Sequence, residues 1–330
     1  MLKLSLINVI YIQRRCASKL ENIIGHEVIR HGLKRAISQG TLSHGHIISG
    51  KDGIGKSIIA RELALNILGK TIERDYADII VFKSKGKSLG VDYIRQIIEE
   101  ATKKPFEGDK KVIIIYEGDK ITTQGQNALL KTIEEPPLGV NIIILCENVE
   151  NILETIRSRC QTYKLNPLSS EDMKKYIRNK FTNLNKEEMD ILLAFGEGIP
   201  GRVDNYMINK DFKDIRSLTL NILKDINSKD MNIVTNYVRD ITEKHKDYYN
   251  EILDSLLFYV RDVIIYKELN DEKYVLNRDK IIEIKDLAVM MSFNKLNSVI
   301  QYINKARNSI AKNVNPVMVF DVMLINMLEG

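Results

Sequence analysis

Short apolar runs alternate with amphipathic stretches over the first half of the chain. The runs Val112–Ile115 and Asn141–Cys146 are rich in β-branched residues and too short for typical helices, a pattern typical of strands buried on both faces. Between such runs, apolar residues recur every four positions, as on one side of a helix: Ile59, Leu63 and Ile67. This alternation predicts a parallel α/β core over residues 19–165.

The pattern changes after this core. The turn-forming segment Asn166–Ser170 marks a boundary, and residues 166–208 are predicted to form a small helical lid. Residues 209–330 contain few glycines and repeated helical stripes, which predicts an all-helical domain. Residues 1–18 precede the core and are expected to be a disordered extension. The chain is therefore expected to fold as three blocks, in keeping with its 330 residues.

One loop carries the strongest chemical signal. Gly50 to Ser57 fits the phosphate-binding pattern G-x-x-x-x-G-K-[ST] between a predicted strand and a predicted helix. Glycines let backbone N–H groups approach phosphates, a lysine neutralises the phosphate charge, and a serine hydroxyl ligates magnesium. The loop predicts a site for ATP with magnesium, in which Ser57 contacts the metal. The residues predicted to bind the nucleotide are Gly50, Gly53, Gly55, Lys56 and Ser57.

The strand Val112–Ile115 is followed by a residue that is unusual for a nucleotide hydrolase. An aspartate that holds magnesium normally follows this strand, but here the residue is Tyr116, whose neutral phenol is a poor ligand for a hard cation. Glu117 remains as the candidate catalytic residue that orients a water molecule. We therefore expect the chain to bind ATP and to hydrolyse it weakly or not at all.

Further segments carry a family resemblance. Residues 123–137 read TQGQNALLKTIEEPP, a predicted helix stopped by two prolines, and residues 156–160 read IRSRC. With the P-loop and the altered acidic strand, they resemble the subunits of the bacterial DNA polymerase III clamp loader, most closely its delta-prime subunit. Ile23–His26 resembles the family's segment beside the adenine pocket, and Gly196–Arg202 resembles its lid motif. The resemblance covers roughly residues 19–330.

The resemblance implies a fold and two arginine roles. The fold would be that of an AAA+ protein: an α/β P-loop core with a parallel sheet, a small helical lid and an all-helical C-terminal collar domain for oligomerisation. Arg159 would be a trans arginine finger that reaches the γ-phosphate of a neighbouring subunit's ATP. Arg202 would contact the nucleotide held in its own P-loop. A planar guanidinium suits both roles because it can donate two hydrogen bonds to phosphate oxygens.

The resemblance also implies partners. The chain would join gamma/tau and delta subunits in a hetero-pentamer, act with them on a sliding clamp and contact primer–template DNA through the assembly, in the cytoplasm. The final helix begins near Asn315 and Pro316 and has almost no polar face. It is therefore expected to be buried, either in its own domain or against neighbouring subunits.

Two other functions are open at this stage. One is the ATP-hydrolysing gamma/tau-like motor subunit, with Glu117 and Asp119 replacing the lost magnesium ligand. The other is a P-loop small-molecule kinase, against which the lid motif and the helix in residues 123–137 argue. Whether the chain is itself an enzyme is undecided, although it would be a component of the DNA polymerase III holoenzyme.

Composition adds loose limits. The net charge of +5 is mildly basic, which allows DNA binding without requiring it. Three cysteines, Cys16, Cys146 and Cys160, are too few for a four-cysteine zinc site, so no zinc is expected. No apolar run reaches the roughly 18 residues typical of a membrane span, so no contact with a membrane is expected.

Overall fold

The computed structural model describes residues 20–83, 88–182, 184–208, 211–226 and 230–329. The strands are β1 (Gly45–Ser49), β2 (Ile79–Phe82), β3 (Lys111–Ile115), β4 (Val140–Cys146) and β5 (Gln161–Lys164). The α-helices of the first half are α1 (Glu27–Gln39), α2 (Lys56–Ile67), α3 (Val91–Thr102), α4 (Thr123–Glu134) and α5 (Glu154–Arg157). Those that follow are α6 (Ser170–Lys180), α7 (Lys186–Gly196), α8 (Pro200–Ile208), α9 (Asp211–Asp225), α10 (Met231–Arg239), α11 (Tyr249–Leu269), α12 (Ile281–Met290), α13 (Phe293–Ala311) and α14 (Pro316–Glu329).

The strands form one parallel five-stranded sheet in the order β2-β3-β4-β1-β5. Ser49 at the end of β1 lies beside Cys146 at the end of β4, and Ile115 at the end of β3 lies beside Ile144. The carboxyl ends of β1, β4 and β3 are therefore neighbours. Ligands of open parallel sheets bind at this edge, next to the point where the strand order reverses. The predicted α/β core is confirmed.

Successive side chains of β3 belong to two different cores. Ile114 packs with residues of α1 and α2, whereas Ile113 and Ile115 pack with residues of α3 and α4. This division follows from the period of two in a strand, which turns neighbouring side chains to opposite faces of a sheet. Tyr116 continues the set of Ile114 and packs against the core on the α2 side. The tyrosine therefore lies on the same face as the helix that follows the P-loop.

The C-terminal helices α9 to α14 enclose a separate apolar core, as the predicted all-helical domain requires. The expected start of α14 is confirmed, because the Asn315 side chain accepts a hydrogen bond from the Val317 N–H at 2.9 Å. Burial of α14 is only partial. Phe320 is fully buried, whereas Met318 and Val322 are 62% and 50% exposed. The helix thus has one face in its own core and another that is exposed.

The chain divides into two compact units. The first comprises the described residues of Met1–Asn179 and Glu197–Gly201, and the second those of Lys180–Gly196 and Arg202–Gly330. The three blocks expected from the sequence, with boundaries after residues 165 and 208, stay a prediction. The extension expected over residues 1–18 lies outside the described residues. Within the described ranges, no helix is both long enough and apolar enough to cross a membrane.

Candidate nucleotide-binding site

The P-loop, residues 50–57, connects β1 to α2 through backbone conformations that favour glycine. Lys56 opens α2, and its Nζ donates hydrogen bonds to the carbonyl oxygens of Gly50 at 2.6 Å and Lys51 at 3.0 Å. The ammonium group therefore lies against the loop backbone. Positive φ angles occur at three loop positions, where L side chains would be strained. They are +152° at Gly50, +77° at Gly53 and +107° at Gly55.

Gly53 packs backbone to backbone against Gly201 of the predicted lid motif. The Gly201 N–H donates a hydrogen bond to the Gly53 carbonyl oxygen at 2.9 Å. A Cβ on Gly53 would lie 3.1 Å from the Gly201 Cα, and a Cβ on Gly201 would lie 2.5 Å from the Gly53 Cα. Neither position has room for a side chain. The backbone of Gly201 therefore holds the P-loop in place at Gly53.

The loop fits a chain of phosphates. A Cβ on Gly55 would meet no heavy atom within 4 Å, so the space in front of this residue is open. Gly55 is also the N-cap of α2, where free N–H groups and the helix dipole attract anions. Lys56 adds a positive charge at the same end of the helix. The predicted loop residues are therefore brought together in an arrangement suited to a nucleotide.

The predicted magnesium ligand, Ser57, has a different partner from the one expected. Its side chain lies near that of Tyr116, which directly follows β3. Burial raises the pKa of the Tyr116 phenol, and the nearby Ser57 hydroxyl and the charge of Arg61 oppose this shift. The phenol is therefore protonated and neutral near pH 7. A neutral phenol occupies the position of the missing carboxylate, so these residues fit the metal poorly.

Glu117, the predicted water-orienting residue, adopts a left-handed backbone conformation with φ of 55°. Its Oε1 accepts a hydrogen bond from Lys120 Nζ at 2.7 Å, and its charge, together with burial, raises the pKa of Tyr93 in α3. Its Oε2 is buried without a hydrogen-bond partner among the described residues. A carboxylate oxygen in that state can accept a hydrogen bond from water. The catalytic role of Glu117 stays a prediction.

Glu147 responds to the charge of the P-loop lysine and to the charges of two further carboxylates. Burial raises the pKa of Glu147, which follows β4; the charge of Lys56 opposes this shift, while Asp52 and Asp119 add to it. Burial also raises the pKa of Cys146 to about 12, with Asp119 adding to the effect and Lys56 opposing it. In the part of the chain that the structure describes, no three His, Cys, Asp or Glu side chains are grouped so that they could hold a metal ion.

His26 connects the start of the core to the P-loop. Burial lowers the pKa of its imidazole, the nearby backbone of Ile54 opposes this shift, and Nε2 is buried without a hydrogen-bond partner among the described residues. The preceding Gly25 lies against Leu168, whose Cδ2 would be 2.3 Å from a Cβ on that glycine. The segment predicted to lie beside the adenine is thus packed against the P-loop itself.

Arg159, the predicted trans finger, lies at the surface just after α5. Its Nε forms an ion pair with Glu134 Oε1 at 2.8 Å, and its side chain is 43% exposed. A second hydrogen bond runs from Nη1 to the carbonyl oxygen of Thr155 at 3.0 Å. Ion pairs between exposed groups contribute about 0–1 kcal/mol, so this one holds the arginine only weakly. The neighbouring Arg157 pairs with Glu150 at 3.1 Å.

Arg202, the predicted sensor, belongs to the second compact unit. Its Nη2 lies 3.4 Å from Asp254 Oδ2, and the same carboxylate also pairs with Arg307. Asp254 lies in α11 and Arg307 in α13. The arginine thus takes part in a structural ion-pair group, and its role towards a nucleotide stays a prediction.

Family models account for both the α/β core and the helical C-terminal region. A model described as DNA polymerase III, delta subunit, matches residues 25–169, and one described as DNA polymerase III, delta subunit, C terminal, matches residues 210–329. The chain belongs to the DNA polymerase III clamp-loader family. It is a clamp-loader subunit of the AAA+ type, with a parallel-sheet P-loop core and a helical C-terminal part.

Curated relatives support the family over part of their length. The chain is 31% identical over 197 residues to DNA polymerase III subunit gamma of Buchnera aphidicola subsp. Schizaphis graminum, over 54% of each chain. It is 22% identical over 363 residues to DNA polymerase III subunit tau of Bacillus subtilis, over 94% of this chain and 62% of the relative. The chain therefore spans about 54% to 62% of the length of these relatives.

Two solved structures are also similar. A gamma-subunit-related protein of Thermotoga maritima shares 18% identity with a TM-score of 0.45, over 91% of this chain and 98% of the other. The clamp loader delta protein of Bacillus subtilis shares 11% identity with a TM-score of 0.36, over 91% and 99%. Such TM-scores support no finer assignment of the clamp-loader subunit.

Several residues of this site were not identified from the sequence. Gly201 was noted only as part of the lid motif, and its contact with Gly53 depends on a fold that joins distant segments. Glu147 was not considered, although its place directly after an apolar strand is a signal that would have found it, because parallel strands end at one edge.

Proposed function

We propose that this chain is a delta-prime-like clamp-loader subunit that binds ATP, hydrolyses it weakly or not at all, and supplies Arg159 to the nucleotide of a neighbouring subunit. The observation that carries the proposal is the contrast at one sheet edge. The P-loop is complete and open in front of Gly55, whereas the position after β3 is Tyr116 instead of a carboxylate. Such a site is suited to holding a nucleotide rather than to turning it over.

The proposed partners are gamma/tau and delta subunits, a sliding clamp and, through the assembly, primer–template DNA. The names of the curated relatives, DNA polymerase III subunits gamma and tau, support an assembly of this kind. The exposed face of α14, with Met318 and Val322, is an apolar surface of the sort that neighbouring subunits cover. In this account the helical region would join the subunits, and Arg159 would act across one boundary.

The runner-up is the hydrolysing gamma/tau-like motor. One observation favours it: Glu147 lies close enough to Lys56 and to Asp119 for their charges to act on it. A carboxylate there is a candidate substitute for the missing magnesium ligand. Against it, the described residues contain no three-residue acidic, His or Cys group suited to a metal. The family assignment argues against a small-molecule kinase.

The trans-finger role is tested with a loader reconstituted from wild-type or Arg159→Ala subunit. An arginine finger contributes roughly 10³ to 10⁵ in rate at the site it serves, so single-turnover hydrolysis at one neighbouring site should fall steeply. Arg159→Lys should restore little of the lost hydrolysis rate, because an ammonium group cannot donate two parallel hydrogen bonds to a phosphate. Assembly is checked by gel filtration.

Two variants serve as controls. Arg157→Ala removes an adjacent arginine with its own partner, Glu150, and should leave hydrolysis close to wild type. Glu134→Gln releases Arg159 from its ion pair without removing it, and should leave hydrolysis unchanged or raise it. Full hydrolysis at every site of an assembled Arg159→Ala loader would show that Arg159 is an ordinary surface charge and not a trans finger.

A further inference from the structure

Tyr116 lies where it can control the chemistry of the P-loop serine. It continues the set of β3 side chains on the α2 face, and its ring packs against the core that contains Ile59 and Leu63 of that helix. Ser57 is the second residue of the same helix, and its side chain lies near enough to the phenol to lower the pKa of Tyr116. The hydroxyl that would ligate a magnesium ion therefore lies beside a neutral phenol and not beside a carboxylate.

The surroundings of Tyr116 are positively charged. Lys83 Nζ lies 5.4 Å from the centre of the tyrosine ring, and the charge of Arg61 acts on the phenol. Arg61 forms ion pairs with Glu73, from Nε to Oε1 at 3.8 Å, and with Asp75, from Nη2 to Oδ1 at 3.1 Å. Its charge is therefore partly balanced. A divalent cation beside Ser57 would meet this arginine and lysine without a carboxylate at the position after β3. Coulomb repulsion disfavours that arrangement.

The other carboxylates at this edge do not form a metal site among the described residues. The charges of Asp52, Asp119 and Lys56 act on Glu147, but no three His, Cys, Asp or Glu side chains in the described part of the chain are grouped so that they could hold a metal ion. Magnesium requires a nearly octahedral set of oxygen ligands, which these residues do not rebuild.

We propose that this P-loop binds its nucleotide without magnesium, because Tyr116 replaces the metal's carboxylate ligand on the face of the sheet that α2 covers. The charge of the phosphates is then balanced by Lys56 and by the N–H groups of the loop and of α2. The inference rests on the proposed nucleotide binding and deepens it: the ligand is the metal-free nucleoside di- or triphosphate.

The test is calorimetric titration of the full chain with ADP and with the non-hydrolysable ATP analogue AMP-PNP, in excess magnesium and in EDTA. For the wild type, binding in magnesium should be no tighter than in EDTA, because a site without a ligand for the metal gains nothing from it, whereas loss of a true ligand-shell group typically changes metal affinity by 10- to 100-fold. Tyr116→Asp should bind at least about tenfold more tightly in magnesium than in EDTA.

The matched control is Tyr116→Asn, which removes the phenol as the aspartate does but brings no charge. Like the wild type, it should bind no more tightly in magnesium than in EDTA. If both variants unfold, as circular dichroism would show, the wild-type titrations alone decide. Wild-type binding that is about tenfold or more tighter in magnesium overturns the inference, and loss of that preference in Asp119→Asn would identify the group that holds the metal.

Failure of this inference differs from failure of the proposed function. Magnesium-dependent binding by the wild type leaves a nucleotide-binding subunit in place and removes only the role given to Tyr116. No binding in either buffer overturns the inference and the nucleotide part of the proposed function together. The Arg159 experiment still decides the trans-finger part, because that arginine acts on the nucleotide of another subunit.

Discussion

The P-loop after β1 and the end of β3 lie at the same edge of the sheet, with β4 between the two strands, yet only one of them keeps the residues typical of a nucleotide hydrolase. The loop keeps its glycines, its lysine and an open space before α2. The end of β3 has Tyr116 in place of a carboxylate, and Glu117 is paired with Lys120. Nucleotide binding depends on the P-loop, whereas hydrolysis also depends on the residues that follow β3. The comparison shows that the binding residues can be kept while the hydrolytic residues are replaced.

The largest expected effect comes from removing the charge of the loop. Lys56→Ala should weaken nucleotide binding by about a hundredfold or more, because truncating one partner of a hydrogen-bonded charge pair costs about 2–5 kcal/mol. The matched control is Lys51→Ala in the same loop. Its side chain is exposed, so its removal should change the nucleotide affinity little. Titration calorimetry measures both. Equal affinity of the Lys56→Ala variant and the wild type would mean that the loop does not hold a nucleotide.

A smaller effect is expected from the backbone contact that supports the loop. Gly53→Ala combines a positive φ of 77° with a Cβ only 3.1 Å from the Gly201 Cα. It should lower the free energy of unfolding by about 2–4 kcal/mol and weaken nucleotide binding. Gly69→Ala is the control, because its φ is +65° but no heavy atom lies within 4 Å. Gly69→Ala should lower the free energy of unfolding by about 1–2 kcal/mol and leave nucleotide binding unchanged.

Denaturant titration compares these two glycine variants with the wild type. Similar losses of unfolding free energy in both would show that the contact with Gly201 adds nothing beyond backbone strain. That result would also remove the lid motif from the account of how the P-loop is held.

The strand that leads into the P-loop should make the protein sensitive to acid. His46 is fully buried, its Nδ1 lies 3.5 Å from the Tyr163 hydroxyl, and burial lowers its pKa from 6.5 to about 4, with His44 adding to the effect. Between those two pKa values the unfolded chain binds the proton more readily. Stability should therefore fall as pH drops from 6.5 towards 4, by at most about 1.4 kcal/mol per pH unit from this group.

Urea unfolding of His46→Gln at pH 7 and pH 5 checks this effect. The variant should lose part of the pH dependence that the wild type shows. His31→Gln, which removes an exposed histidine, should keep the dependence in full. An unchanged slope in the His46→Gln variant would mean that other groups cause the acid sensitivity.

The smallest effect concerns the arginine proposed to act in trans. Arg159→Ala should change the free energy of unfolding by less than about 1 kcal/mol, because its ion pair with Glu134 is exposed. Thermal unfolding of the isolated subunit measures this. A loss of unfolding free energy well above that value would assign Arg159 a structural role within its own subunit. It would then be a weaker candidate for a residue that acts on a neighbouring subunit.

Local patterns predicted much of this fold. The β-branched run Val112–Ile115 became β3, and the proline pair after residue 135 follows the end of α4. Asn315 caps α14 as expected. These outcomes follow from strand period, proline geometry and capping, which act over a few residues. The family assignment then supported the resemblance carried by the motifs.

The arrangement of side chains at the site was harder to predict. Nothing in the local sequence of Tyr116 indicates that it would lie near Ser57, since the two are brought together only by the packing of α2 on the sheet. The direction of Glu117 depends on a left-handed backbone angle that is uncommon for glutamate. The pairing of Arg159 with Glu134 likewise joins two elements that are distant along the chain.

The central claim is that the isolated chain holds a nucleotide without turning it over. The most direct test is to measure nucleotide binding and steady-state hydrolysis on one preparation, free of other loader subunits, with the Lys56→Ala variant as the baseline. The account predicts clear binding by the wild type and hydrolysis that barely exceeds the baseline. Robust turnover far above the Lys56→Ala baseline would contradict it and would support the hydrolysing motor subunit instead.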